Sequence, residues 1–126
     1  MRTLIDTSCI IAVLCSWHEH HEATWMEVEQ SGHPGVSLLL AAPSLIETYA
    51  VLTRLPAPHR LSVQDAWTLL DSNWKEAEVI VLTASEYWRV LRDCQGEGIA
   101  GGTVYDAVIA ACARKAHADR ILTWNE

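Results

Sequence analysis

Four short apolar runs mark out the chain, at Arg2–Ile5, Val36–Leu40, Glu78–Leu82 and Arg120–Thr123. Runs of this length, bounded by turn formers, read as strands buried on both faces, which is the pattern of a parallel sheet. The segments between them repeat their apolar residues at helical spacing. The spacing predicts helices over Cys9–Trp17, from the His18-Glu19-His20-His21-Glu22 stretch to about Gln30, and from Ser44 to Arg54, with a turn at Gly32–Gly35. Pro43 closes the second strand, and Pro56 and Pro58 end the helix after it. A further helix begins at Ser62, with Val63, Ala66, Trp67 and Leu70 turned to the core. Another follows Thr83, with Tyr87, Trp88 and Leu91 on one side, and an Ala-rich helix runs from Asp106 to about Ala116. Ser44-Leu45-Ile46-Glu47 and Thr83-Ala84-Ser85-Glu86 both read as capping boxes. Trp67 and Trp88 are assigned to the core, Trp17 and Trp25 to an interface. Alternation of strand and helix gives an α/β fold with right-handed crossovers.

Composition narrows the class without choosing a function. At 126 residues, half of them apolar, the chain fits one domain with a real core. The apolar runs Ile10–Cys15 and Val36–Ala42 are too short to span a bilayer, and an acid at position 6 spoils a secretory signal. A cytoplasmic location is expected. Cys9, Cys15, Cys94 and Cys112 form no C-x-x-C pair and read as buried, reduced thiols. The net charge of −7 argues against a broad surface that binds nucleic acid by counterion release. It leaves room for a nucleic-acid enzyme whose acids hold a divalent cation, because the cation then presents positive charge to phosphate.

Three acids stand out by position. Asp6 ends the first strand, where ligands bind in open α/β sheets; Glu47 and Asp106 fall in the first turns of helices leaving the same edge. Capping explains each alone, Asp6 or Thr7 as an N-cap and Glu47 through its box. Capping does not require them to gather on one edge. Three crowded carboxylates repel one another, and a hard divalent cation with oxygen ligands removes that cost. Other chemistries fit less well. His18-Glu19 lacks the His at position 22 that a zincin needs, and Gly96–Gly102 lacks a following Gly-Lys-Ser/Thr, so it reads as a flexible loop rather than a phosphate cradle.

Leu4-Ile5-Asp6-Thr7-Ser8, Ser44-Leu45-Ile46-Glu47-Thr48-Tyr49-Ala50-Val51-Leu52, Tyr105-Asp106-Ala107 and Leu122-Thr123-Trp124-Asn125 together resemble a PIN domain, with VapC-type toxins of toxin–antitoxin pairs as the nearest likeness. The likeness spans essentially the whole chain, taken as a single PIN-like domain over residues 1–126. It implies a three-layer α/β/α sandwich with a central parallel sheet of four to five strands. It also implies a Mg²⁺-dependent endoribonuclease, with Mn²⁺ able to substitute, that is homodimeric and neutralised by a small antitoxin. Asp6, Glu47 and Asp106 match the family's acidic metal site, and Thr7 and Thr103 match hydroxyls that position rather than ligate. A fourth acid in the family lies at or shortly after the position of Asn125. Either Glu126 substitutes for it, Asn125 contributes through a water, or the natural chain runs past Glu126.

The expected reaction is hydrolysis of RNA phosphodiesters by metal-activated water, with Asp106 the candidate for taking the water's proton. Arg54, Arg89, Arg92, Arg114 and Lys115 are candidates for holding flanking phosphates. A receiver domain would need an Asp at the end of a central strand, which Val79–Thr83 lacks. A haloacid-dehalogenase-type phosphatase would need Asp-x-Asp where Asp6-Thr7-Ser8 stands. The alternative carried forward is a PIN-like binding protein with an incomplete acid site.

Overall fold

The computed structural model describes residues 1–31 and 37–124, so the turn at 32–35, Val36, Asn125 and Glu126 lie outside the described residues. Four strands, β1 (Arg2–Ile5), β2 (Ser37–Ala41), β3 (Glu78–Ile80) and β4 (Arg120–Leu122), form one parallel sheet in the order β3-β2-β1-β4. Among the described residues six helices surround it: α1 (Thr7–Leu14), α2 (His21–Ser31), α3 (Ala42–Arg54), α4 (Val63–Trp74), α5 (Ala84–Glu97) and α6 (Thr103–Lys115). The first strand is central. Chain order reverses across it, with β2 on one side and β4 on the other, and ligands bind beyond strand ends at such switch points.

Two-residue periodicity in the strands divides the core into two halves. Leu4 and Leu39 pair in register and meet Val90, Cys94, Ile109, Cys112 and Ala113 of α5 and α6. Their successors Ile5 and Leu40 point the other way, onto Cys9, Ile10 and Val13 of α1 and Trp74 of α4. These four strand residues are fully buried, each stabilising by roughly 1.5–3 kcal/mol relative to exposure. The result is the three-layer α/β/α arrangement. Small residues let α6 lie close: Ala113 is buried, and Ala107 and Ala111 pack against the same cluster. All four thiols are free and buried, as expected.

Several boundaries differ from the sequence reading for identifiable reasons. The fixed φ of Pro43 suits a first helical turn, so α3 starts at Ala42, with Pro43 in that turn and no side-chain cap. Ser44 is therefore buried inside the helix, and the expected box with Glu47 does not form. The box at Thr83 and Glu86 does form. In α4 the buried stripe runs through Ala66 and Trp74, which turns Val63 and Trp67 outward, Trp67 being 58% exposed. In α5, Val90 and Cys94 take the core face while Trp88 is 70% exposed. Gly96 belongs to α5, which ends on Gly98 at φ 71°, a left-handed conformation suited to glycine.

Candidate active site

The end of β1 builds the site's fixed wall. The Asp6 amide donates to Leu122 O (2.9 Å), and its carbonyl accepts from the Cys9 and Ile10 amides (3.0 Å each), so the backbone turns directly from strand into α1. Its carboxylate accepts from the Thr7 amide at Oδ1 (2.6 Å) and from Thr123 Oγ1 at Oδ2 (2.6 Å), with Ser8 Oγ a longer donor at 3.5 Å. The capping role expected for Asp6 is real. It occupies only part of the carboxylate's accepting capacity. Asp6 is 6% exposed, and burial together with its negative charge pushes the neighbouring Cys9 thiol up to about 11, leaving it protonated and inert at neutral pH.

Two helices build the opposite walls. A hollow of about 310 Å³ is lined by Asp6, Thr7 and Ser8 from the β1–α1 junction, Ser44 and Glu47 from α3, and Tyr105 and Asp106 from α6. All three sequence-predicted acids therefore face one cavity. Glu47 and Asp106 are exposed and make no hydrogen bond or ion pair with any described residue. Among the described residues, no three His, Cys, Asp or Glu side chains stand close enough to hold one ion as they are. Exposed, unrestrained side chains change rotamer within nanoseconds, so Glu47 and Asp106 are not locked in one orientation.

The other predicted positions divide. Thr7 lines the hollow; Thr103 does not, and its hydroxyl donates to Ala100 O (2.8 Å). None of Arg54, Arg89, Arg92, Arg114 and Lys115 lines it. Arg89, Arg114 and Lys115 gather instead around a separate hollow with Glu86 and Asp93, and Lys115 Nζ donates to Glu86 (2.7 Å) and Val81 O (2.6 Å). Asn125 and Glu126 fall outside the described residues.

Sequence reasoning missed three hydroxyls. Thr123 holds Asp6 across the β1–β4 pair, a contact that the two strand ends foreshadow once the register is known. Ser8 joins the hollow to the chain's end by accepting from the Trp124 amide (3.0 Å). Ser44 Oγ is buried with no hydrogen-bond partner among the described residues and belongs to the hollow's lining. A buried hydroxyl without a partner carries a desolvation cost, and a polar ligand in the hollow relieves it.

Comparison with known proteins decides the family. The PIN domain model matches residues 3–126. This chain belongs to the PIN-domain family. Among curated relatives, Ribonuclease VapC40 of Mycobacterium tuberculosis is 33% identical over 118 residues, covering 94% of this chain and 82% of its own. Ribonuclease VapC27 of the same species is 34% identical, covering 91% of this chain and 79% of its own. The crystal structure of M. tuberculosis VapC20, a sarcin–ricin loop cleaving toxin, superposes with a TM-score of 0.77 at 17% identity over 98% of this chain and 89% of that one. VapBC2 from Rickettsia felis, bound to a DNA fragment from its promoter, gives 0.72 at 16% over 99% and 89%. These two establish the shared fold. The acids of this PIN domain sit at the carboxyl edge of its sheet, flanking the central strand.

Proposed function

We propose that this PIN domain is a divalent-metal-dependent endoribonuclease of the VapC type, hydrolysing RNA phosphodiesters as the toxin of a toxin–antitoxin pair. The observation that carries the reading is the convergence of Asp6, Glu47 and Asp106, from three separate elements, on one hollow at the sheet's carboxyl edge. The relatives named ribonucleases support the substrate class.

The donor set suits Mg²⁺ or Mn²⁺: three carboxylates and the unpartnered Ser44 hydroxyl, all oxygen. Asp6, Glu47 and Asp106 would hold the ion, and Thr7, which lines the hollow, would position Asp6 through its amide. Held there, such an ion would supply a water of lowered pKa and offset charge on the phosphate. Thr123 and the Thr7 amide fix the orientation of the Asp6 carboxylate, which lines the hollow. Asp106, exposed and without a partner among the described residues, would accept a proton from the attacking water.

A protein partner is supported by the surface rather than by the hollow. Ile46, Tyr49, Trp67 and Val79 are exposed around a second, largely apolar hollow of about 370 Å³ between α3 and α4. Exposed apolar patches of this kind mark interaction sites. We assign the face to protein contact, with the antitoxin or a second copy of the toxin. Among the described residues, no helix is long and apolar enough to cross a membrane.

A second reading has its own observation. The three acids do not form a ready-made ion cluster among the described residues, which is what a PIN-like binding protein with an incomplete acid site would also show. Incubation of total RNA with the purified chain separates the two. The nuclease reading expects discrete cleavage that requires Mg²⁺ or Mn²⁺, stops in chelator and is absent from Asp106→Asn. Equal cleavage by that variant, or cleavage without divalent metal, would overturn it.

A further inference from the structure

We propose that a line of five rings leading away from the acid-lined hollow is a subsite for the unpaired bases of single-stranded RNA. The proposal rests on the nuclease reading and adds where the substrate lies beyond the scissile phosphate.

The His18–His21 stretch, which has no metal-binding spacing, forms the middle of this line. His59 stacks on Trp17 with centroids 4.1 Å apart and planes at 23°. Trp17 meets His18 at 6.0 Å, His18 meets His20 at 5.6 Å, and His20 stacks on Trp124 at 3.9 Å and 11°. The Trp124 end is tied to the site. Its amide donates to Ser8 Oγ, which lines the hollow, and the preceding Thr123 holds Asp6. The other end, Trp17 and His59, lies on the connections that follow α1 and α3, the two helices carrying Ser8 and Glu47 into the hollow.

Hydrogen bonds hold the Trp124–His18 end of the line and the neighbouring His21, while Trp17 and His59 are held by stacking on each other. Trp124 Nε1 donates to the buried Thr24 Oγ1 (2.7 Å), the His20 amide donates to His18 Nδ1 (3.1 Å), and a ring nitrogen of His21 contacts Ala12 O at 2.8 Å. Yet Trp17 remains 46% and Trp124 41% exposed after stacking. Rings fixed in position and left in water are what base stacking requires, since every base offers a π-face and stacking tolerates sequence. The charge pattern points the same way. None of the five cationic candidates lines the acidic hollow, the chain as a whole is at −7, and Arg120, which lines a hollow with Trp124, shares it with Glu27, so flanking RNA gains from a hold that does not depend on phosphate neutralisation. Stacked imidazole and indole rings provide one. Glu19 lies 3.5 Å from His20 with its side chain 83% exposed, and Glu27 lines a hollow together with Trp124.

The test measures binding in chelator, where cleavage is stopped, by fluorescence anisotropy of two labelled probes. One is a short random-sequence single-stranded RNA pool; the other is an abasic ribose-phosphate oligomer of equal length and charge. The pool is expected to bind the wild-type chain at least about tenfold more tightly than the abasic oligomer. Trp17→Ala should erase most of that difference and Trp17→Phe should keep it, each with unchanged thermal unfolding. Equal affinity for the two probes, no binding of the pool, or an unaffected Trp17→Ala would overturn the subsite. The nuclease reading is judged separately, by divalent-dependent cleavage and its loss in Asp106→Asn, so a working nuclease with no base-dependent binding removes the subsite alone.

Discussion

The two sides of the acidic hollow are built on opposite plans. On one side Asp6 is buried, at the end of the central strand, and its carboxylate is fixed by the Thr7 amide and the Thr123 hydroxyl. On the other, Glu47 and Asp106 are exposed on α3 and α6 with no partner among the described residues. The fixed acid sets a direction, and the free acids supply adaptable charge. A site made this way avoids three preassembled carboxylates repelling one another, and on the proposed reading it would close when a cation's field outweighs their solvation.

Breaking each side in turn gives the largest expected effect. Asp6→Asn and Asp106→Asn should each lower RNA cleavage by about a thousandfold or more, the scale on which one electrostatic group acts in a preorganised site. Circular dichroism and thermal unfolding should show both variants folded. If Glu47→Gln is as inactive as these two, the free wall is as essential as the fixed one.

A smaller loss sharpens the contrast. Thr123→Val removes the hydroxyl that orients Asp6 and should weaken Mn²⁺ affinity roughly ten- to a hundredfold, the usual cost of losing a supporting partner. Thr123→Ser should restore it. An unchanged affinity in Thr123→Val would mean that Asp6 needs no orienting.

Ser44→Ala has opposite expected signs for folding and for ligand binding. Because the hydroxyl is buried and unpartnered, its removal should leave stability unchanged or raise it by up to about 1 kcal/mol, while cation binding weakens a few-fold. Loss of stability in chemical denaturation would show that the hydroxyl has a structural partner.

The smallest effect lies away from the hollow and should spare it. Glu86 is held at about 2, below its ordinary 4.5, by Lys115 and by the Thr83 amide. A depressed carboxylate stabilises the native state fully above pH about 4.5 and loses that contribution as pH falls toward 2. Glu86→Gln should flatten this acid limb of the stability curve and leave cleavage at neutral pH unaltered.

Much of this was legible in the chain before any coordinates, for unequal reasons. The parallel sheet and its flanking helices followed from short apolar runs alternating with helical spacing, because burial on both faces leaves a strand little room for polar residues. Asp6, Glu47 and Asp106 could be placed on one edge because each lies near a strand end or a helix start. What failed was finer. Pro43 moved the start of α3 forward and took Ser44 from cap to hollow, a shift of two residues that local pattern does not resolve. Trp67 shared helical spacing with the buried Ala66 and Trp88 with the partly buried Tyr87, and only packing against the sheet decides which stripe turns inward. Thr123 was invisible as an Asp6 partner because that bond spans nearly the whole chain, through a register set by tertiary pairing.

The central claim is that a fixed acid and two free ones make a single cation site. Calorimetric titration of Mn²⁺ into the purified chain and into Asp6→Asn, Glu47→Gln and Asp106→Asn tests it without knowledge of the RNA. The account predicts saturable binding by the wild type that is lost in Asp6→Asn and Asp106→Asn and weakened in Glu47→Gln. Saturable binding that persists unchanged in all three variants, or no binding by the wild type, would contradict it.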